Sequence, residues 1–292
     1  MVDFFKKIVV TGVKGQLGFD CVRELQERGY KNIVAIDRED LDLTHEEEVK
    51  AFFAKEKPEV VLHNAAMTQV DKIEEGPEKA YEANSLATKY IAEACRKIDA
   101  IMVYISTDYV FNGKGDDFYK ETDEKEPLNY YGYTKSKGED FVTSILKKYF
   151  ILRISWVFGI NGNNFIKTML RLADTNKELS IVDDQIGSPT YTYDLSKLIC
   201  DMIETKKFGI YHATNEGVTS WYEFAKYIFE VADKKVSIKP ISTEEYQKKY
   251  KQAHRPLNSR LSKEKLKNSG FNALPDWKDA TKRYIINELK VK

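Results

Sequence analysis

Short apolar runs rich in β-branched residues recur through the first half of the chain, and helical patterns fill the intervals between them. The runs are KIVVTG, NIVAID, VVLHNAA, IMVYIST and FILRISWVFG. Strands that alternate with helices pair side by side in one direction, so this order predicts an α/β fold with a Rossmann-type, doubly wound parallel sheet. Between the runs, Gln16 to Arg28 reads as a helix with apolar positions at Leu17, Cys21, Val22 and Leu25. Glu46 to Lys55 and Ala80 to Cys95 read as further crossover helices, the second carrying Tyr81, Leu86, Tyr90 and Ile91 at helical spacing. After residue 158 the rhythm loosens, with GINGNN and DDQIGSPT separating helices expected over 164–174 and 192–204.

Gly12-Val13-Lys14-Gly15-Gln16-Leu17-Gly18 lies directly between the first predicted strand and the first predicted helix. Glycines there let the backbone turn tightly and approach a pyrophosphate, whose charge meets the free N–H groups and positive end of the helix. The GxxGxxG spacing differs from the commoner GxGxxG, so by itself it fits a structural glycine turn as well. The second run ends at Asp37, nineteen residues after Gly18, where a dinucleotide fold places the acid that bonds the adenosine ribose. Asp37 favours NAD(H), because a 2′-phosphate would meet a like charge. Arg38 beside it leaves NADP(H) open, since a guanidinium can cradle that phosphate. The expected organisation is a dinucleotide-binding domain over 1–158, with part of 187–215 returning to it, and a mainly substrate-binding lobe over 159–292.

A YxxxK pattern puts a phenol and an ammonium one helical turn apart on one face. The ammonium is expected to lower the phenol pKa, so that the tyrosine can deliver a proton to a carbonyl as hydride arrives. The pattern occurs four times, from Tyr131, Tyr133, Tyr193 and Tyr222. Tyr131 with Lys135 is selected by position: it follows the strand IMVYIST by a loop and opens a helix, which directs it to the carboxyl ends of the strands, where ligands bind. Tyr133 faces elsewhere on that helix, and Tyr193 and Tyr222 are expected to pack in the later lobe. Ser106-Thr107-Asp108 ends the fourth strand, where a hydroxyl can orient a substrate carbonyl or merely cap its own turn. Asn64-Ala65-Ala66 ends the third with small residues that let a cofactor lie close. Asn84 is a polar insertion in an apolar helix, expected to relay protons or support the lysine.

Charge balance narrows the partners. The 292 residues carry 46 basic and 46 acidic side chains, which argues against nucleic acid or an anionic membrane as the principal partner. Cys21, Cys95 and Cys200 lack the paired spacing of thiolate metal sites or disulfide frameworks and read as inert thiols. His45, His63, His212 and His254 form no HxH or HxxxH pair, so no metal is assigned. No stretch approaches a membrane span, and a cytoplasmic protein is expected.

Taken with NAAMTQVDKIEEGPEKAYEANSLAT, STDYVFNG, YGYTK, RISWVFG, DDQIGSPT, GIYHATNEGVTSW and RPLNSRL, the chain resembles the extended short-chain dehydrogenase/reductase family, and within it the dTDP-4-dehydrorhamnose reductases. The resemblance implies NAD(P)H-dependent reduction of the C4 keto group of a dTDP-4-dehydro-6-deoxy sugar, with Thr107, Tyr131 and Lys135 catalytic. It implies a cofactor site at Gly12, Gly15, Gln16, Leu17, Gly18, Asp37, Arg38, Asp42, Leu43, Asn64, Ala65, Ala66, Thr68, Asn84, Ser106, Tyr131 and Lys135. Substrate contacts fall at Val70, Thr107, Asp108, Tyr109, Ser155 and Trp156, and Arg255 and Arg260 are candidates for the substrate diphosphate by charge. Met67 departs from the small residue expected after Ala66. An epimerase or dehydratase on the same triad, and a non-catalytic regulatory subunit on the same fold, remain alternatives, as does association into a homodimer.

Overall fold

The computed structural model describes residues 2–250 and 252–291. The apolar runs form β1 (Ile8–Thr11), β2 (Ile33–Ile36), β3 (Val60–His63), β4 (Ile101–Thr107) and β5 (Tyr149–Ile154), joined at one edge by β6 (Gly209–His212). All are parallel, in the order β6-β5-β4-β3-β1-β2. Parallel strands bury both faces, which is why β1 and β3 are apolar almost throughout.

Alternate residues of each strand feed opposite layers. Ile8, Val10, Leu62, Val103 and Leu152 pack with Leu17, Cys21 and Leu25 of α1 (Gln16–Glu27). On the other face, Val9, Val61, Met102 and Ile151 meet Val49 and Phe53 of α2 (Glu46–Glu56), Ile91 and Cys95 of α3 (Ala87–Ile98) and Val142 of α4 (Tyr130–Ile145). The three cysteines are buried thiols, each with its pKa pushed up by burial. The later half builds a third core from Phe158, Ile166 and Met169 of α5 (Phe165–Ala173), Phe224 and Ile228, with Trp277 and Tyr284. It also returns α6 (Thr192–Met202), whose Leu195 and Ile199 lie against the first layer. Helices α7 (Trp221–Val231) and α8 (Trp277–Arg283) contribute to that third core. No helix among the described residues is long and apolar enough to cross a membrane.

The chain departs from its sequence pattern in two places near the carboxyl ends of the strands. The helix expected from Ala80 to Cys95 begins at Pro77 and passes through a π turn, Glu82–Leu86, before continuing as α3. The wider turn carries Asn84 at its centre, and π bulges of this kind recur at functional sites. The run FILRISWVFG does not make one strand. It ends at Ile154, and Trp156 takes a left-handed φ of 50°. Val157–Phe158 then pairs with Thr190–Tyr191, outside the central sheet.

Candidate active site

The chain order reverses between β1 and β3: the chain moves outward from β1 to β2, then crosses back to β3 and onward. Such a switch point opens a crevice at the carboxyl ends of the strands. The glycine turn fills its floor. Gly12 holds a φ of 68°, and a Cβ on it would lie 2.8 Å from the Ala65 backbone. A Cβ on Gly18 would meet the Gly12 carbonyl oxygen at 2.2 Å, so helix α1 can start this close to the turn only without a side chain there. The Gly15 N–H donates to the Gly12 carbonyl (3.0 Å), and no side chain caps α1, leaving its first N–H groups available. Asp37 stands beside the turn, its carboxylate accepting the Lys14 N–H (2.8 Å) and the Arg38 N–H (2.8 Å).

Other members of the expected cofactor set differ in how they could contribute. The amide of Asn64 is buried with no partner on either atom, next to the turn. Ala65 donates its N–H to Thr11 Oγ1 (3.2 Å), which also meets His63 Nδ1 (3.0 Å). Leu17 is buried in the core, so its side chain faces away from the crevice. Gln16 Oε1 accepts from Asn164 (3.1 Å). Asp42 is occupied by Thr44 and by Arg38 (3.3 Å), Leu43 packs under α2, and Thr68 is exposed.

Helix α4 supplies the reacting pair. Asn129 caps it by accepting the Gly132 N–H (2.9 Å), and Gly132 is required because a Cβ would meet the Tyr109 carbonyl oxygen at 2.1 Å. This cap sets Tyr131 in the first turn, edge-on to Tyr109 with ring centroids 5.7 Å apart. Burial and the nearby Asp108 carboxylate push the Tyr131 phenol above its ordinary range, and the Thr107 hydroxyl draws it partly back. One turn on, burial pulls Lys135 down to about 7 while Glu139 opposes it. Its ammonium lies over the Tyr104 ring, 4.1 Å from the centroid. Any lowering of the Tyr131 pKa by the ammonium is outweighed: burial dominates both groups and drives them in opposite directions, so the phenol stays above its ordinary range.

Thr107 donates to Asp108 Oδ1 (2.9 Å) and accepts the Tyr109 N–H (3.2 Å). Asp108 is buried, its second oxygen has no partner, and burial raises its pKa to about 6. Ser106, one residue earlier, points to the opposite face by strand alternation and donates to Glu139 Oε1 (2.6 Å). The Asn84 amide accepts the Met67 N–H (2.7 Å) and donates to the Met67 carbonyl (2.9 Å) and Thr134 Oγ1 (3.1 Å). It ties the loop after β3 to helix α4 rather than reaching Lys135. The other three tyrosines stand apart: Tyr133 is exposed beside Tyr81 and Tyr130, Tyr193 donates to Glu27 (2.8 Å), and Tyr222 packs in the later lobe.

The substrate-side candidates each have partners of their own. Val70 opens a short helix that ends at Glu75. Ser155 donates to the Ser188 carbonyl (2.7 Å), and Trp156 stacks on Trp221 at 3.7 Å. Gly187 lies beneath Trp156, where a Cβ would come within 2.9 Å of the indole. Arg255 grips Asp71 with both terminal nitrogens (3.1 and 2.9 Å), and Arg260 bonds Asn258 (3.0 Å) near Asp116 (3.6 Å). Both arginines, candidates for the substrate diphosphate by charge, thus already have acid or amide partners in this structure.

Sequence reasoning missed Asn161, whose amide donates to the Lys14 carbonyl (2.8 Å) and lays the GINGNN loop across the glycine turn. It also missed Glu139 and Arg153, a buried pair under α4 joined at 2.9 and 2.8 Å. A signal existed for the pair: an arginine within an apolar strand requires a partner.

The family model described as RmlD substrate binding domain matches residues 6–290. The chain is 40% identical to the spore coat polysaccharide biosynthesis protein SpsK of Bacillus subtilis, over 96% of each protein. It is 39% identical to the dTDP-4-dehydrorhamnose reductase of Aggregatibacter actinomycetemcomitans, over 94% of this chain and 97% of that protein. The solved dTDP-4-dehydrorhamnose reductase of Bacillus anthracis, in complex with NADP, superposes with a TM-score of 0.93 at 40% identity, covering 97% of this chain and 99% of that one.

Proposed function

The chain belongs to the RmlD substrate binding domain family, and on that premise we propose that it reduces dTDP-4-dehydro-L-rhamnose at C4 to dTDP-L-rhamnose. It is a nicotinamide-dependent oxidoreductase. The observation that supports this reading is that the Thr107 hydroxyl bears on the Tyr131 phenol, with Lys135 one helical turn on, while the glycine turn lies at the switch point of the same sheet. The turn fits a dinucleotide: Gly12 and Gly18 admit no Cβ, the start of α1 is uncapped, and the Asn64 amide beside it is unpartnered. When bound, the reduced nicotinamide supplies the hydride.

The protein's own groups handle the proton and the carbonyl. Tyr131 begins as a neutral phenol, the form its burial favours, and gives its proton to the C4 oxygen. Lys135 as an ammonium stabilises the phenolate left behind. Thr107, freed from Asp108, donates to the carbonyl oxygen and orients it. Trp156 forms an apolar wall against the sugar.

Both NADH and NADPH serve as reductants in this reading. Asp37 can accept a ribose hydroxyl while holding the turn. Arg38 is exposed and only loosely paired with Asp42 at 3.3 Å, free to meet a 2′-phosphate. The NADP bound by the Bacillus anthracis reductase runs against the preference for NAD(H) expected from Asp37. Incubation with NADPH and dTDP-4-dehydro-L-rhamnose tests the whole reading: stoichiometric loss of the reduced nicotinamide absorbance is expected. Product formed with the cofactor left unchanged would instead identify an epimerase.

A further inference from the structure

Beneath the reacting pair lies a buried charge network that the proposed chemistry does not use directly. Helix α4 packs on β4 in matched register, with Lys135 over the Tyr104 ring and Glu139 against the Ser106 hydroxyl. Residues four apart on a helix share a face, as do residues two apart on a strand. Gly138 brings the two elements this close, since a Cβ there would lie 2.2 Å from the Tyr104 hydroxyl. Glu139 is 1% exposed and Arg153, from β5, 2% exposed. Arg153 holds Glu139 with two nitrogens, Lys125 approaches it at 3.5 Å, and Arg153 also donates to the Glu121 carbonyl (3.2 Å).

A buried ion pair is weak evidence for stability, because desolvation offsets most of the attraction. Its placement suggests another purpose. We propose that Glu139 is a positioning residue for the proton-transfer pair, its buried carboxylate supplying the counter-charge that keeps Lys135 an ammonium. This rests on Tyr131 and Lys135 performing the proton transfer.

The groups around Lys135 make Glu139 the acid suited to that task. From β3, His63 is buried and neutral, with its pKa held near 3 by burial and by Lys135 itself. From β4 come the neutral Tyr104 phenol and, past the strand end, Asp108, which bears on Tyr131. From β5, Arg153 brings a positive charge held on the far side of the Glu139 carboxylate. Glu74 lies at the start of α4, accepting the Tyr130 N–H (2.7 Å). On α3, Lys89 and Glu93 pair with each other at 3.8 Å. Glu139 is the group that holds the Lys135 pKa up against burial.

The test is the pH profile of kcat/KM for NADPH oxidation in Glu139→Gln. The alkaline limb, set by loss of the Lys135 proton, is expected to move about one pH unit or more toward acid, so that activity above the limb falls about tenfold at a given pH. Glu139→Asp, which keeps the charge, is expected to restore most of the shift. Should Glu139→Gln fail to fold, the paired change Glu139→Gln with Arg153→Met removes a positive charge along with the negative one, and a smaller shift in the same acid direction is expected, because Glu139 lies nearer Lys135 along the helix. A direct readout comes from NMR titration of 13Cε-labelled lysine, with Lys135 assigned by its loss in Lys135→Met. An unmoved limb and an unmoved Lys135 titration in a folded variant overturn the proposal. If Tyr131→Phe retains full activity, the underlying catalytic reading fails instead, and the two failures are told apart.

Discussion

Gly18→Ala tests the glycine turn most sharply. A Cβ there would sit 2.2 Å from the Gly12 carbonyl oxygen and 2.7 Å from its carbon, against an ordinary contact of 3.4 Å or more. Relief requires more than an ångström of movement in a segment already in a left-handed conformation. Forced overpacking costs roughly 1–3 kcal/mol. Swinging the Gly12 carbonyl away also breaks its bond from the Gly15 N–H, at about 1 kcal/mol. Together these give roughly 2–4 kcal/mol. If binding requires the original turn, the lower figure alone raises the NADPH Kd about 30-fold. Gly15→Ala is the control: its Cβ would meet one atom at 3.1 Å, and its φ of −81° suits any residue. Its melting temperature should stay close to that of the parent, while Gly18→Ala melts several degrees lower. Fluorescence titration with NADPH and thermal unfolding measure both. A Gly18→Ala protein that binds NADPH within about twofold of the parent would refute the turn as the dinucleotide cradle.

Other expectations follow from the same geometry. Tyr131→Phe should lower kcat by about 10²–10⁴-fold and leave NADPH binding intact, as steady-state kinetics and titration would separate; the contrary result, full activity, removes the phenol from the reaction. Asp37→Ala should raise the ratio of NADPH to NADH kcat/KM and Arg38→Ala should lower it, and unchanged ratios in both would place cofactor choice elsewhere. His212 is buried with its pKa held near 3. Its folded pKa lies below the unfolded value near 6.5, so the stability it contributes is present above about pH 6.5 and is lost as pH falls toward 3. In His212→Gln, urea midpoints should therefore fall less steeply with acid than in the parent, and parallel curves would deny the linkage. Gly187→Ala should push Trp156 off its seat and raise the sugar-nucleotide KM, with little change in NADPH binding.

The sheet was legible because parallel strands buried on both faces are apolar over most of their length, as β1, β3 and the start of β4 are. The edge strand β6 was not: GIYH is short, carries a buried histidine and owes its place to β5. Tyr131 could be chosen from four matching patterns because its position after β4 was readable. The partners of Asn84, Arg255 and Ser106 were not, since these depend on loops that come together only in three dimensions. Asn161 is the clearest case, a half-buried polar residue in a turn-rich stretch whose bond to Lys14 joins positions 147 apart.

Burial acts on Tyr131 and Lys135 with opposite sign because one is charged when it loses a proton and the other when it keeps one. A site built to take a proton from an alcohol would need the phenolate already formed. Here the resting phenol is held protonated by burial and by Asp108, which suits a group that must give its proton away as the carbonyl is reduced. The cost falls on the lysine, whose charge is wanted only after that proton has left. A buried carboxylate four residues along the same helix, anchored by Arg153 and Ser106 rather than left to reach for the lysine, supports that charge without forming a direct ion pair that would tie the ammonium down.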